Sequence, residues 1–164
     1  MDDSNNHLSL RSVIHSDENL LLDWANDPSV RKWSFNKNVI SSDQHNIWFN
    51  NKLDNTNVLM WIFQVNNSPI GLVRLEKDNG EAVLSYLIAP QSRGKGWASK
   101  MLKMAMNKVR KHWLNVKVLA YTLPENVASI TSLEKAGFLL AITDTRKTNR
   151  VSDNAILLIN DQSK

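Results

Sequence analysis

The stretch Leu84-Ser-Tyr-Leu-Ile-Ala-Pro-Gln91-Ser-Arg-Gly-Lys-Gly-Trp-Ala-Ser-Lys-Met-Leu102 orders the reading of the whole chain. An apolar strand runs into a short basic turn with two glycines, and an amphipathic helix follows at once. Exposed N–H groups and the positive dipole end of a helix attract anions, and glycine lets the backbone come close to them. That order makes a polyphosphate cradle. Gln91, Gly94 and Gly96 stand at the spacing Gln/Arg-x-x-Gly-x-Gly/Ala, while Arg93 and Lys95 add charge without blocking the amides. A dinucleotide fold would want a third glycine where Ser99 stands, and Trp97 after Gly96 breaks a Walker loop. For the loop taken alone, an ordinary strand–turn–helix is the remaining alternative.

A second segment narrows the choice. Pro124-Glu-Asn126-Val-Ala-Ser129-Ile-Thr-Ser132-Leu133-Glu134-Lys135-Ala-Gly137-Phe138 opens a helix after a strand and closes it with Gly and then Phe. Gly137 stands where a left-handed C-cap is wanted, and Phe138 begins the next strand. Asn126 on its own reads as a plain N-cap. In this order and spacing, the two segments resemble the acetyl-CoA loop and the Asn-x-x-Ser/Ala…Glu-Lys-x-Gly-Phe helix of the GNAT superfamily of N-acetyltransferases.

Composition leaves room for that resemblance. The chain has 164 residues and is 42% apolar, which suits a single domain with one core. Residues 8–160 are expected to form it, between a flexible N-terminus (1–7) and a C-terminal tail (161–164). Cysteine is absent, which removes disulfides and thiolate chemistry and fits a cytoplasmic protein. The polar start has no signal-peptide core, and the longest apolar runs are strand-length, so no membrane partner is expected. Net charge is +4. Apart from Arg93–Lys111 and Arg146–Arg150 it is scattered, which points to small anionic ligands rather than nucleic acid. The four histidines show no ligand spacing, so no metal is expected. Trp24 and Phe49 read as core.

Periodicity places strands at Leu8–Ile14, Val58–Val65, Ile70–Glu76, Glu81–Ala89, Asn115–Tyr121, Phe138–Thr143 and Ala155–Ile159. Asn66-Asn67-Ser68-Pro69 and Asp78-Asn79-Gly80 are the turn signals between them. Helices are expected at Glu18–Asn26, from the Ser41-Ser42-Asp43 cap through Lys52, at Ala98–Trp113 and after Asn126. The second of these would turn Ile47, Trp48 and His45 inward, and the third would bury Met101, Leu102, Ala105 and Val109. This order matches the resembling superfamily over Leu8–Ile159. It implies an α/β (α+β) fold, a mixed, mostly antiparallel sheet of about seven strands flanked by four helices. Strands 4 and 5, here Val83–Ala89 and Val116–Tyr121, would splay into a V.

The resemblance also implies a chemistry: acetyl transfer from acetyl-CoA to a primary amine, directly within a ternary complex. Backbone groups of Leu87 and Ala89, flanking Ile88, would pair with the pantetheine arm, and one of them would polarise the thioester carbonyl. Amides from Arg93 through Gly94, Lys95, Gly96, Trp97 and Ala98 would hold the pyrophosphate, with Gln91, Asn126 and Ser129 facing the cofactor. The leaving thiolate needs a proton, and many members carry a Tyr for this just before Glu-Lys, where this chain has Leu133. Tyr86, Tyr121, Ser129 and Ser132 are the substitutes. His45, Asp43 and Glu76 are the candidates for deprotonating or recruiting the amine.

Residues 20–53 set the acceptor side. Trp24-Ala-Asn26-Asp27, Val30-Arg31, Ser34-Phe35 and His45-Asn-Ile-Trp48-Phe49 are similar to the branch that acetylates nucleotide-linked amino-sugars of nonulosonic acid pathways. By that analogy Arg31 would pair with nucleotide phosphate, Trp33, Phe35 or Trp48 would stack on base or sugar, and His45 would lie near the amine. The expected acceptor is the 4-amino group of a UDP-linked amino-dideoxy-sugar, bound by a monomer or homodimer. The alternatives are a ribosomal-protein N-terminus, an antibiotic amine, or a non-catalytic CoA-binding sensor. Arg31, Lys32 and Lys37 favour an anionic acceptor over a peptide.

Overall fold

Turn chemistry lays out the first half of the sheet. Asn66 and Asn67 have φ of 51° and 65°, and Asn79 and Gly80 have 47° and 82°. Two consecutive positive-φ residues make the tight turn whose twist matches antiparallel strands. Strands β2 (Val58–Val65), β3 (Ser68–Asp78) and β4 (Glu81–Ile88) therefore follow one another as a meander, with β1 (Leu8–Ser12) paired to the free side of β2. In this computed structural model, residues 5–141 and 154–163 are described. The remaining strands are β5 (Lys117–Thr122), β6 (Leu139–Leu140) and β7 (Ile156–Asp161), and the sheet runs β1-β2-β3-β4-β5-β7-β6. Among the described residues, only β4 and β5 pair in parallel.

Among the described residues five α-helices flank the sheet: α1 (Glu18–Asn26), α2 (Pro28–Arg31), α3 (Ser42–Leu53), α4 (Trp97–His112) and α5 (Val127–Lys135). The short α2 is the one that pattern reading misses. Asn26-Asp27-Pro28 ends α1 as expected, but Asp27 also accepts from Ser29 N–H with Pro28 at the first helical position, so the stop is a start as well. Helices α1 and α3 cover one face of the sheet, with Leu21, Trp24 and Phe49 against Met60 and Ile62. On the other face, α4 buries its Met101, Leu102, Ala105 and Val109 stripe, and α5 buries Leu133, against Phe63, Val73 and Leu75. That stripe was legible in sequence because a 3.6-residue period over sixteen residues leaves one face for the core.

Several expectations need correction. Ile47 does not face inward but is 64% exposed. The ring of Phe49, one turn after His45, fills the core instead, and Ile47 projects from the opposite side of α3. Of the strand expected at Phe138–Thr143, only Leu139–Leu140 pair, and residues 142–143, like the Arg146–Arg150 cluster, lie outside the described residues. Asp161 and Gln162 are not a tail: β7 includes Asp161, and buried Gln162 accepts a hydrogen bond from Arg110 Nε at 2.9 Å. At the other end His7 N–H donates to Asn66 Oδ1 at 2.8 Å, and residues 1–4 lie outside the described residues.

Candidate active site

Strands β4 and β5 stay paired only as far as Leu84 and Ala120. Beyond that point β4 keeps its partner β3, with Leu72 opposite Leu87, and β5 keeps β7, with Thr122 opposite Ile156, so the two strands part. A cleft of about 830 Å³ opens in the gap and continues toward α2 and α3. Strand alternation decides which backbone groups face it. Lys117 N–H donates to Gly80 C=O on the β5 side, whereas Ala89 N–H donates to Ile70 C=O on the β3 side. With a period of two, Tyr86 and Ile88 present their backbone groups to the splay, and Leu87 and Ala89 turn theirs to β3. This corrects the assignment of the pantetheine-pairing groups: Leu87 and Ala89 are already paired within the sheet, and Ile88 N–H is the donor that faces the gap.

The basic loop lies at the mouth of the cleft. Gly94 and Gly96 have φ of 73° and 75°, in the left-handed region that other residues enter only with strain. A Cβ at either would meet open space, so it is the backbone conformation, not crowding, that calls for glycine. Gly96 caps α4 and sets its first amides toward the cleft. Ser92, Arg93, Gly94, Gly96, Trp97 and Ala98 line it, whereas the exposed Gln91 and Lys95 do not. Arg93 is engaged with protein: Nε donates to Ile88 C=O at 3.0 Å and Nη1 to Ser29 Oγ at 2.7 Å. The Ser29 hydroxyl in turn donates to the Asp27 carboxylate. The loop is thereby tied across the mouth to the cap of α2.

On the α5 side, Asn126 accepts from Ser129 N–H at 3.2 Å and also lines the cleft, so capping and facing the cleft are compatible roles. Tyr86 reaches across from β4, and its hydroxyl lies 2.9 Å from Ser129 Oγ. Burial pushes the Tyr86 phenol up, and the Ser129 and Ser132 hydroxyls only partly oppose this. Leu133 is 1% exposed beside them. Tyr121 lines the cleft just past the last β4–β5 pair.

The other wall belongs to α2, α3 and the segment between them. His45 is buried, and its Nε2 lies 3.0 Å from Glu18 C=O. A carbonyl only accepts, so Nε2 is the nitrogen that donates in this contact. Trp48 packs at 5.4 Å from the His45 ring and lies under the Arg74 guanidinium at 5.1 Å. Arg31 fastens its own loop, donating to Asn36 C=O and Asn38 C=O at 3.1 Å and to Ser34 Oγ at 2.9 Å. Desolvation lowers its pKa, and Nε is buried without a hydrogen-bond partner.

The Acetyltransferase (GNAT) domain family model matches residues 7–139. The chain belongs to the GNAT acetyltransferase family. Solved structures share this fold at low identity. The spermidine N-acetyltransferase from Vibrio cholerae, in complex with CoA and spermine, has a TM-score of 0.80 and 22% identity over 96% of each chain. Aminoglycoside acetyltransferase AAC(6')-Ib, in complex with ribostamycin and coenzyme A, has a TM-score of 0.79 and 20% identity, covering 94% of this chain and 93% of that one. An uncharacterized protein from Bacillus halodurans has a TM-score of 0.81 and 17% identity, covering 98% and 87%. No curated protein sequence matches the chain.

As a GNAT enzyme it takes acetyl-CoA as co-substrate, and its described residues fit that molecule: a strand edge open along Tyr86–Ile88, then glycine-shaped amides at a helix N-terminus. Of the residues singled out in sequence, the cleft brings together His45, Tyr86, Tyr121, Leu87, Ile88, Arg93, Gly94, Gly96, Trp97, Ala98, Asn126, Ser129, Arg31, Trp33, Phe35 and Trp48. Glu76 is not among its lining residues: it holds Lys52 Nζ at 2.6 Å and Arg74 Nε at 3.2 Å. Asp43 is exposed on the first turn of α3. Sequence reading missed Arg74, Ser85, Ser29 and Gln44 in the lining. The signal for Arg74 was available, since a charged residue in the middle strand of a covered meander needs a partner or a role.

Proposed function

We propose that this GNAT acetyltransferase acts on an anionic amine, the 4-amino group of a UDP-linked amino-dideoxy-sugar, by direct transfer in a ternary complex. The observation that carries the reading is the charge of the cleft: its lining includes Arg31, Arg74 and Arg93 and, among the described residues, no Asp, Glu or Lys. Spermine and aminoglycosides are polycations and call for carboxylates. A guanidinium-lined wall repels them and attracts a diphosphate. It also disfavours an ammonium, lowering the pKa of the bound amine toward the neutral form that can attack.

The residues divide the work as follows. Amides around Gly94 and Gly96 and the α4 N-terminus take the pyrophosphate of acetyl-CoA. Ile88 N–H donates to the thioester oxygen as negative charge develops there. The neutral amine forms the new C–N bond, the C–S bond breaks, the thiolate takes the Tyr86 proton, and His45 Nδ1 accepts the proton the nitrogen gives up. Tyr86 thus fills the role left open by Leu133, from a neighbouring strand rather than from α5. Trp33 and Phe35 offer apolar area for the sugar and base.

The test is acetyl-CoA-dependent thiol release with a UDP-4-amino-4,6-dideoxyhexose, set beside spermidine, kanamycin and a peptide amine. The reading requires a kcat/KM for the nucleotide-sugar at least about a hundredfold above the polycations. Preference for spermidine or kanamycin would overturn it, and preference for the peptide would move the assignment to protein N-terminal acetylation.

A further inference from the structure

We infer that Ser29 is a positioning residue for the acceptor: through its bond to Arg93, the cofactor loop sets the place of α2 and of the acceptor wall that α2 carries. The inference rests on the reading above for the wall where the acceptor binds, and not for the identity of the acceptor. Helix α2 is four residues long and buries none of them. With so little apolar packing, its position depends on polar ties at its two ends. Three of its residues, Ser29, Val30 and Arg31, nevertheless line the cleft.

The first tie runs to the cofactor side. Ser29 N–H donates to the Asp27 carboxylate at 2.9 Å, and the Ser29 hydroxyl donates to the same group. With its proton committed there, Ser29 Oγ offers a lone pair, and Arg93 Nη1, 64 residues away in sequence, donates to it at 2.7 Å. The hydroxyl thus sits in a chain whose ends are a cation and an anion, which strengthens each bond in it. Arg93 is anchored in turn, its Nε donating to Ile88 C=O at 3.0 Å at the end of β4. The second tie runs to the acceptor side. Arg31, two residues after Ser29, donates to Asn36 C=O, Asn38 C=O and Ser34 Oγ, fastening the segment from which Trp33 and Phe35 line the cleft. A continuous path of bonds leads from the glycine loop through Ser29 and Arg31 to the acceptor wall. The Ser29–Arg93 bond is solvent-exposed, so its loss should displace α2 without unfolding the domain. Acetyl-CoA, by fixing the loop, fixes that wall, and the acceptor binds more tightly to the acetyl-CoA complex than to the free protein.

Hydrogen–deuterium exchange of wild type and Ser29→Ala, each with and without saturating CoA, tests the tie whatever the acceptor is. In wild type CoA should slow exchange about tenfold or more in residues 27–36 as well as in 92–98. In Ser29→Ala the protection of 92–98 should persist and that of 27–36 should be lost, and Ser29→Thr, which keeps a hydroxyl, should restore it. Residues 27–36 that respond equally in wild type and Ser29→Ala, or that do not respond in wild type, would overturn the inference. A Ser29→Ala protein that folds but no longer binds CoA would overturn it too, because the hydroxyl would then belong to the cofactor site. Should Ser29→Ala not fold, Arg93→Gln breaks the same bond from its other end and is read in the same way. With the UDP-4-amino-sugar, Ser29→Ala should raise the acceptor KM about five- to tenfold, more than it lowers kcat, with the acetyl-CoA Kd within about twofold. An unchanged acceptor KM would count against the assignment. If wild type does not turn over that sugar, the anionic-acceptor reading falls, and the exchange experiment still decides on Ser29.

Discussion

Tyr86 shows how a single residue acquires chemistry from its surroundings. Its phenol is raised by burial and sits against Ser129, so it remains protonated across the neutral range and beyond the titration of an exposed tyrosine. Tyr86→Phe should lower kcat about 10- to 100-fold while leaving the acetyl-CoA KM within a few-fold. In wild type kcat should fall only at pH above the range in which an exposed tyrosine ionises, and a pH–rate profile of both proteins would check both statements. Asp17 carries a second consequence, for stability. Burial alone would raise its carboxyl, but the Arg11 fork at two distances of 2.7 Å and Ile14 N–H outweigh that and hold it below the ordinary carboxylate range. A depressed pKa contributes stability that is present above the unfolded value and lost as pH falls through the folded one. Asp17→Asn should therefore cost about 1–3 kcal/mol at neutral pH, and in chemical denaturation the gap to wild type should close below pH about 4.

At the scale of elements, the loop and α4 act as one unit. Gly94→Ala and Gly96→Ala each force a side chain into a left-handed backbone, costing about 1–2 kcal/mol. Because a Cβ has room at both sites, the strain should be met by a shift of the loop rather than by unfolding. The expected result is an acetyl-CoA KM raised about tenfold with a Tm only a few degrees lower. Calorimetric titration and melting curves separate the two effects. On the facing wall, α3 begins at a reciprocal cap in which Ser41 Oγ accepts from Gln44 N–H and Gln44 Oε1 accepts from Ser41 N–H. That cap was readable because Ser at the N-cap with Gln three residues later is a local pattern. The short α2 was not, since Asp27 and Pro28 signal an end as readily as a beginning.

For the molecule as a whole, the cleft is a seam in its own sheet. Acetyl-CoA bound along the splay should bridge β4 and β5 where they have parted. At a concentration a hundred times its Kd it should stabilise the fold by about 2.7 kcal/mol, seen as a concentration-dependent rise in Tm. Desulfo-CoA should reproduce most of that rise, since the loop and strand edge do not contact the sulfur alone; a Tm unmoved by either would argue against the cleft as the cofactor site.

Local signals were enough for much of this. Two Asn-rich turns, the α4 stripe, the glycine loop and the Asn126…Gly137-Phe138 helix are each encoded within one or two turns of chain, so the family and its cofactor could be named from residues in a row. Other features depend on what arrives from elsewhere. Whether Leu87 or Ile88 faces the gap follows from the phase of β4 against both neighbours, which Ala89–Ile70 and Lys117–Gly80 set together. Ile47 leaves the inward face on which His45 stays, because the core beneath α3 has room for one side of that helix only. Glu76 looked like a recruiter of the amine until Lys52, from a helix more than twenty residues away, claimed its carboxylate. Arg74 was passed over as one charge in an apolar strand. Motifs are contiguous and their physics is short-ranged, whereas the direction and charge of a cleft are sums over segments that only the folded sheet brings together.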